Sequence, residues 1–139
     1  QTPLHLACER GDLVCVKELL EESQARTDIK DKNGETPMHY ASKQDSPVII
    51  QMCRMLLDRG CEINYLSKTG ESALHVLTKK GRFEAAMVLL THGANANLKG
   101  QDGNTALHLA MKVLIKEAHH FVHLFGKTNN IPMTFRDFN

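Results

Sequence analysis

The chain has 139 residues, about one domain by length, and 17 basic against 16 acidic side chains give a formal net charge of +1. That balance excludes the bulk basic footprint of a nucleic-acid or anionic-membrane binder, and 42% hydrophobic with 24% charged residues excludes a disordered tail. No apolar run approaches the ~20 residues of a membrane span, and with 5% aromatics and no Trp the core has to be built from Leu, Ile, Val, Met and Ala.

Residue 1 is Gln rather than Met, which reads as a chain cut from something longer. Thr2 opens the first element, because a hydroxyl ahead of an apolar run is an N-cap that accepts an orphan N–H. Pro3 follows at the first helical position, where its missing N–H costs nothing. The first helix is expected near 4–10 and a second near 14–22, separated by Arg10-Gly11-Asp12. The pattern then restarts. Thr2-Pro3-Leu4-His5 returns as Thr36-Pro37-Met38-His39, Ser72-Ala73-Leu74-His75 and Thr105-Ala106-Leu107-His108, at spacings of 34, 36 and 33 residues. The turn dipeptides Asn33-Gly34, Thr69-Gly70 and Asp102-Gly103 precede the last three copies. Further helix pairs are expected near 37–44 and 48–58, 73–79 and 84–91, and 106–112 and 116–124, with Gly60, Gly93 and Gly126 as left-handed closers. The second copy carries three extra residues at Gln44-Asp45-Ser46-Pro47. The fourth has Val113-Leu114-Ile115 where other copies have polar turn residues, and His123 in a leucine slot. One such pair cannot bury its own apolar face, whereas stacked pairs form a continuous core.

This arrangement resembles the ankyrin repeat, whose signature includes T-P-L-H-x-A at a period near 33. The resemblance implies an all-α solenoid of about four helix-turn-helix repeats with short β-hairpin-like fingers. It makes one domain over 1–139, with repeats at about 1–33, 34–69, 70–102 and 103–126 and a degenerate, frayed end at 127–139. Three stretches are also similar to the ankyrin region of group VI calcium-independent phospholipases: Thr2 to Cys8, Gly34 to Ala41, and Arg82 to Met111 with its Thr91-His92-Gly93. In that family the repeats precede a patatin-like domain that hydrolyses the sn-two acyl ester of phospholipids. The resemblance implies a regulatory module whose phospholipid chemistry lies in a catalytic domain outside this chain. The alternative is a stand-alone ankyrin scaffold unrelated to lipid hydrolysis.

No catalytic residue, cofactor motif or metal site is read within the chain. Gly70-Glu71-Ser72-Ala73-Leu74 approaches a nucleophile elbow but lacks its last Gly, and Ser72 fills the N-cap slot of its sister copies. His5, His39, His75 and His108 share one slot, and the family resemblance gives them a structural role around the finger. His92 is placed to cap last-turn carbonyls, and His119 and His123, four apart, read as a polar helix face because no third ligand beyond Glu117 is evident. Cys8, Cys15, Cys53 and Cys61 show no CxxC spacing and read as four reduced thiols acting as small hydrophobes in a cytoplasmic protein, membrane-associated only through its parent.

The family implies a concave face lined by fingers and first helices. Its slots supply the partner-binding candidates: Glu35, Glu71 and Asn104 after the turn Gly, Lys43, Lys79 and Lys112 four residues after the His, and Lys68, Lys99 and Asp102 at the finger tips with Gln101. The first two columns are expected to stack as an acidic strip beside a basic one, either mutually paired on a solvated surface or available to a partner. The expected partner is a protein, or a second copy, held on that face, with no nucleic acid and no membrane span. The resemblance also marks Asn97 as a candidate for hydroxylation. The residues just after each His (Leu6, Tyr40, Val76, Leu109) are expected in the core.

Overall fold

The computed structural model describes residues 1–100 and 102–129, the side chains of 121 and 124–129 excepted. The described residues form seven helices and no strand: α1 (Pro3–Arg10), α2 (Leu13–Glu21), α3 (Pro37–Ser42), α4 (Ile49–Asp58), α5 (Ala73–Lys79), α6 (Phe83–Thr91) and α7 (Ala106–Asn129). α1, α3, α5 and α7 pack side by side in one layer, and α2, α4 and α6 form a second layer behind them.

Each first helix begins as its sequence dictates. The hydroxyls of Thr2 and Ser72 accept the N–H of His5 (3.4 Å) and His75 (3.2 Å). In return each His Nδ1 accepts the N–H of its N-cap residue, at 3.1 Å for His5 and 3.2 Å for His75. Asp12 caps α2 by accepting Cys15 N–H at 3.1 Å. Gly60 and Gly93 are left-handed after α4 and α6, as expected.

Leu4, Met38 and Leu74 sit at one slot of α1, α3 and α5 and are at most 3% exposed. Val16, Leu20, Met52, Leu56 and Leu89 line the second layer and are buried equally well. Each such side chain contributes roughly 1.5–3 kcal/mol by leaving water, so the core is one continuous seam between the two layers. Tyr40, Val76 and Leu109 are buried as expected, but Leu6 is 39% exposed, because α1 has a neighbouring first helix on one side only.

The last pair departs from expectation. The separate helices expected at 106–112 and 116–124 are a single 24-residue helix, and Gly126 lies inside it instead of closing it. The cause is at residue 114. Six residues after the slot histidine, α1 and α5 are followed by Gly11 (φ +71°) and Gly81 (φ +72°), which reverse the chain. Leu114 stands at that position, and a side chain there makes the left-handed conformation cost roughly 1–2 kcal/mol. Helix continuation wins. Among the described residues no second helix folds back over residues 106–115, and Leu107 (69%), Met111, Leu114 and Ile115 are exposed. Residues 130–139, and with them most of the expected degenerate end, lie outside the described residues.

Candidate interaction face

The expected fingers are turns, each closed by two backbone bonds. Asp31 N–H donates to Glu35 O (2.9 Å) and Gly34 N–H to Asp31 O (3.0 Å). Ser67 and Gly70 repeat this toward Glu71 O (2.8 Å) and Ser67 O (2.9 Å), and Gly100 and Gly103 toward Asn104 O and Gly100 O (both 2.9 Å). Adjacent turns touch: Lys68 N–H donates to Asn33 O at 2.9 Å. Gly34 has φ +73°, and a Cβ there would stand 3.1 Å from Lys68 N. Only glycine allows both the turn and the approach.

The slot histidines lock the turns to the helices. His5 Nε2 donates to Glu35 O at 2.9 Å and His39 Nε2 to Glu71 O at 2.8 Å. His75 Nε2 reaches both Leu98 O (3.0 Å) and Asn104 O (3.1 Å). Nδ1 accepts a backbone N–H in every case, so the proton is on Nε2 and the ring is neutral. Burial above all holds the His39 imidazole below its ordinary pKa, against the opposing pull of the Glu71 carbonyl and the Glu35 charge. His108 keeps its contacts to Thr105 but is exposed.

On this frame the charged columns pair within each copy. Lys43 Nζ lies 2.5 Å from Glu35 Oε1, and Lys79 Nζ is bonded to Glu71 Oε1. The expected acidic strip beside a basic strip is thus a ladder of cross-bridges, each worth up to about 1 kcal/mol at this exposure. The third rung differs, with Asn104 in the glutamate slot and Lys112 in the lysine slot. Among the described residues, the side chains of Lys68, Lys99, Asp102 and Lys112 have no hydrogen-bond or ion-pair partner. Glu71, Lys79, Asp102 and Asn104 come together around a cavity of about 150 Å³ between the second and third turns, floored by His75 and Leu109. Lys68, Lys99 and Lys112 are exposed outside it, and Glu35 and Lys43 belong to the preceding rung. Gln101 lies outside the described residues.

Several contacts around the face were not assigned from sequence. Tyr40 donates to Asp31 Oδ2 and accepts from Gln1 Nε2 at 2.9 Å, and its ring meets His5 edge-on at 5.0 Å. Burial raises the Asp31 carboxyl, but bonds from Tyr40 O–H and from the N–H groups of Glu35 and Asn33 more than offset it, so its pKa is lowered. Asp45, in the three extra residues, bridges to the next pair through Lys80 (3.1 Å) and Arg82 (3.4 Å). Gln44 from the same insertion caps α1 by donating to Cys8 O at 3.0 Å. Lys30 Nζ sits 4.1 Å above the Tyr65 ring. The insertion itself was the available signal for Asp45 and Gln44; its cross-pair reach was not.

The remaining candidates fall as follows. Ser72 is 1% exposed and bonded to His75 Nδ1 at 2.7 Å, as an N-cap and not a nucleophile. His92 Nδ1 donates to Val88 O at 2.8 Å, the capping role expected of it. Asn97 is exposed, with its N–H on Asn95 Oδ1 at 2.9 Å, whereas its counterpart Asn64 accepts Asn95 N–H at 2.8 Å across the stack. Cys8 and Cys53 are buried, and desolvation pushes them and the half-buried Cys61 up to about 12. Cys15 departs from the expected core role and is exposed on α2. His119 and His123 lie on the exposed surface of α7. No helix among the described residues is long and apolar enough to cross a membrane.

The family model for ankyrin repeats in three copies matches residues 1–67 and 49–123. An E3 ubiquitin-protein ligase, KEG, of Arabidopsis thaliana is 34% identical over 113 residues, which is 80% of this chain and 7% of the ligase. The 85/88 kDa calcium-independent phospholipase A2 of Rattus norvegicus is 37% identical over 89 residues, 63% of this chain and 10% of the phospholipase. The NF-kappa-B inhibitor cactus of Drosophila yakuba is 29% identical over 123 residues, 87% of this chain and 24% of the inhibitor. The chain therefore spans a quarter or less of each of these relatives.

Proposed function

This chain belongs to the ankyrin-repeat family, and from that premise we propose that it is a non-catalytic interaction module holding a protein partner against its turns and first helices. The observation that carries the reading is the cavity between the second and third turns, where Glu71, Lys79, Asp102 and Asn104 meet at the surface. By contrast, Ser72, His5, His39 and His75, the groups best suited to chemistry, are buried and bonded into the frame. A face built of fixed backbone with protruding charges suits recognition better than bond-breaking.

The test is a photo-crosslinking side chain installed at Lys68, on the turns, or at Lys17, on the outer face of α2, in cells that express the native protein. Partner crosslinks from Lys68 and none from Lys17 are expected. Crosslinks from Lys17 alone would overturn the assignment of the face.

A second reading concerns the parent protein. We infer a regulatory ankyrin region of a calcium-independent phospholipase from the 37% identity over 89 residues, with hydrolysis and any membrane association located in a domain outside this chain. The ligase and the inhibitor match as well, and they favour the alternative of a scaffold unrelated to lipid hydrolysis. Intact mass of the native polypeptide, with labelling by a serine-hydrolase probe, separates the two. A mass several times 15.6 kDa that takes the label supports the phospholipase parent, and an unlabelled protein supports the scaffold.

A further inference from the structure

The third rung of the charge ladder is incomplete in a way that specifies what would complete it. Positions 35, 71 and 104 occupy the same backbone frame. Each carbonyl accepts the slot histidine of the preceding copy (2.9, 2.8 and 3.1 Å) and the N–H that closes its own turn (2.9, 2.8 and 2.9 Å). Lys43, Lys79 and Lys112 each follow eight residues later, four past their own slot histidine. The start of α7 repeats the N-terminal geometry of α3, with Thr105 N–H and Oγ1 on His108 Nδ1 at 3.2 and 2.9 Å against 3.1 and 3.0 Å for Thr36 and His39. α7 also lies against α5 as α5 lies against α3. In the first two rungs that frame places a finger carboxylate on the lysine ammonium. In the third the same frame presents an amide, Asn104, and an exposed ammonium, Lys112, that has no carboxylate among the described residues.

We propose that a carboxylate side chain from an acidic segment of the partner takes the place of the missing glutamate, accepting from Lys112 Nζ and from the Asn104 side-chain amide. This rests on the interaction reading above and names the partner's chemistry at that face. The surroundings favour an acid over a base. With the two complete rungs self-neutralised, the candidate residues that have no counter-charge among the described residues are Lys68, Lys99 and Lys112 against Asp102. Glu9, the acid in the lysine slot, lies at the opposite end of the ladder on α1. Electrostatic complementarity of this kind sets specificity more than affinity.

The decisive variant is Asn104→Glu, which supplies the carboxylate in cis. It is expected to keep or raise the melting temperature, because it installs the ion pair of the other two rungs. Binding is read by fluorescence anisotropy at low salt with the 139-residue chain, using a short labelled peptide alternating Glu and Gly and its Lys–Gly counterpart. The wild type is expected to bind the acidic peptide more tightly than the basic one. Asn104→Glu and Lys112→Gln are each expected to weaken the acidic peptide about five-fold, the upper end of an exposed ion pair. Equal affinity for the two peptides, no binding of either, or an Asn104→Glu variant that binds the acidic peptide like the wild type would overturn the proposal. If any of these occurs while crosslinks from Lys68 persist, the acid preference falls and the interaction reading stands; crosslinks from Lys17 alone remove the interaction reading itself.

Discussion

The slot histidines offer a comparison in which one side chain does two different amounts of structural work. His39→Ala removes the Nε2–H bond to Glu71 O (2.8 Å) and the Nδ1 acceptor for Thr36 N–H (3.1 Å) and Oγ1 (3.0 Å). The carbonyl keeps its bond from Ser67 N–H, but Thr36 is 1% exposed, so its N–H loses its partner inside the core. Bonds worth about 1 kcal/mol each, an orphaned donor costing about 1–3 kcal/mol and a void the size of an imidazole add up to about 3–5 kcal/mol. A domain of ordinary stability has about 5–15 kcal/mol in total. His108→Ala removes only the contacts to Thr105 (3.2 and 2.9 Å), on an exposed ring with no following turn among the described residues, and is expected to cost about 0.5–1 kcal/mol. With a urea slope near 2 kcal/mol per M, the midpoints should fall by about 2 M for His39→Ala and by less than about 0.5 M for His108→Ala. Equal shifts would refute the claim that the histidine works chiefly by clamping the next turn.

Three further outcomes are expected. The buried His39 has its pKa held below 6.5, so on acidification the unfolded chain takes up its proton first. The contribution of His39 is therefore complete above about pH 6.5 and is lost as pH falls through the lowered native value; a ring titration followed by NMR that came out at or above 6.5 would contradict this. In the native state a thiol reagent should modify Cys15 quickly and Cys8, Cys53 and Cys61, all pushed up to about 12, slowly, with the fast phase vanishing in Cys15→Ser. Leu114→Gly with Ile115→Asp restores the Gly-Asp turn that follows α1 at Gly11-Asp12 and should break α7 near 113–115, seen as loss of helical chemical shifts there; an unbroken helix would show that residue 114 does not decide its length.

Much of the fold was legible because it rests on local rules that recur. A hydroxyl N-cap marks α1, α3 and α5, a proline opens α1 and α3, and a glycine follows α1, α4, α5 and α6; the expected bounds of α1 to α6 hold to within about two residues, α3 stopping at Ser42 instead of near 44. α7 was misread because the phase of the repeat was given more weight than the residue at its turn. Val113-Leu114-Ile115 was visible as an irregularity, yet only the backbone cost of a left-handed leucine converts it into a continuous helix. Contacts between copies were legible in part. The histidine slot foretold its bonds, and the adjacent columns of Glu and Lys left mutual pairing and partner binding both open; the structure forms the pairs, which slot arithmetic alone does not decide because it does not say which way a long side chain turns. Asp45 lies outside the repeat phase altogether, so nothing in its position foretold Lys80 and Arg82 as partners.

A repeated frame also changes how exceptions are read. Where one backbone geometry carries Glu35, Glu71 and Asn104 in turn, the first two serve as internal controls for the third. The pairing of Glu35 with Lys43 and of Glu71 with Lys79 shows what that site does with a carboxylate, so among the described residues Lys112 lacks an interaction that its sister lysines make. The same logic separates stability from recognition. His5, His39 and His75 are buried and bonded across copies, so changing them should destabilise the stack. Asn104 sits on that same frame and lines the cavity, so changing its side chain is expected to alter what binds while the carbonyl that holds the turn stays in place.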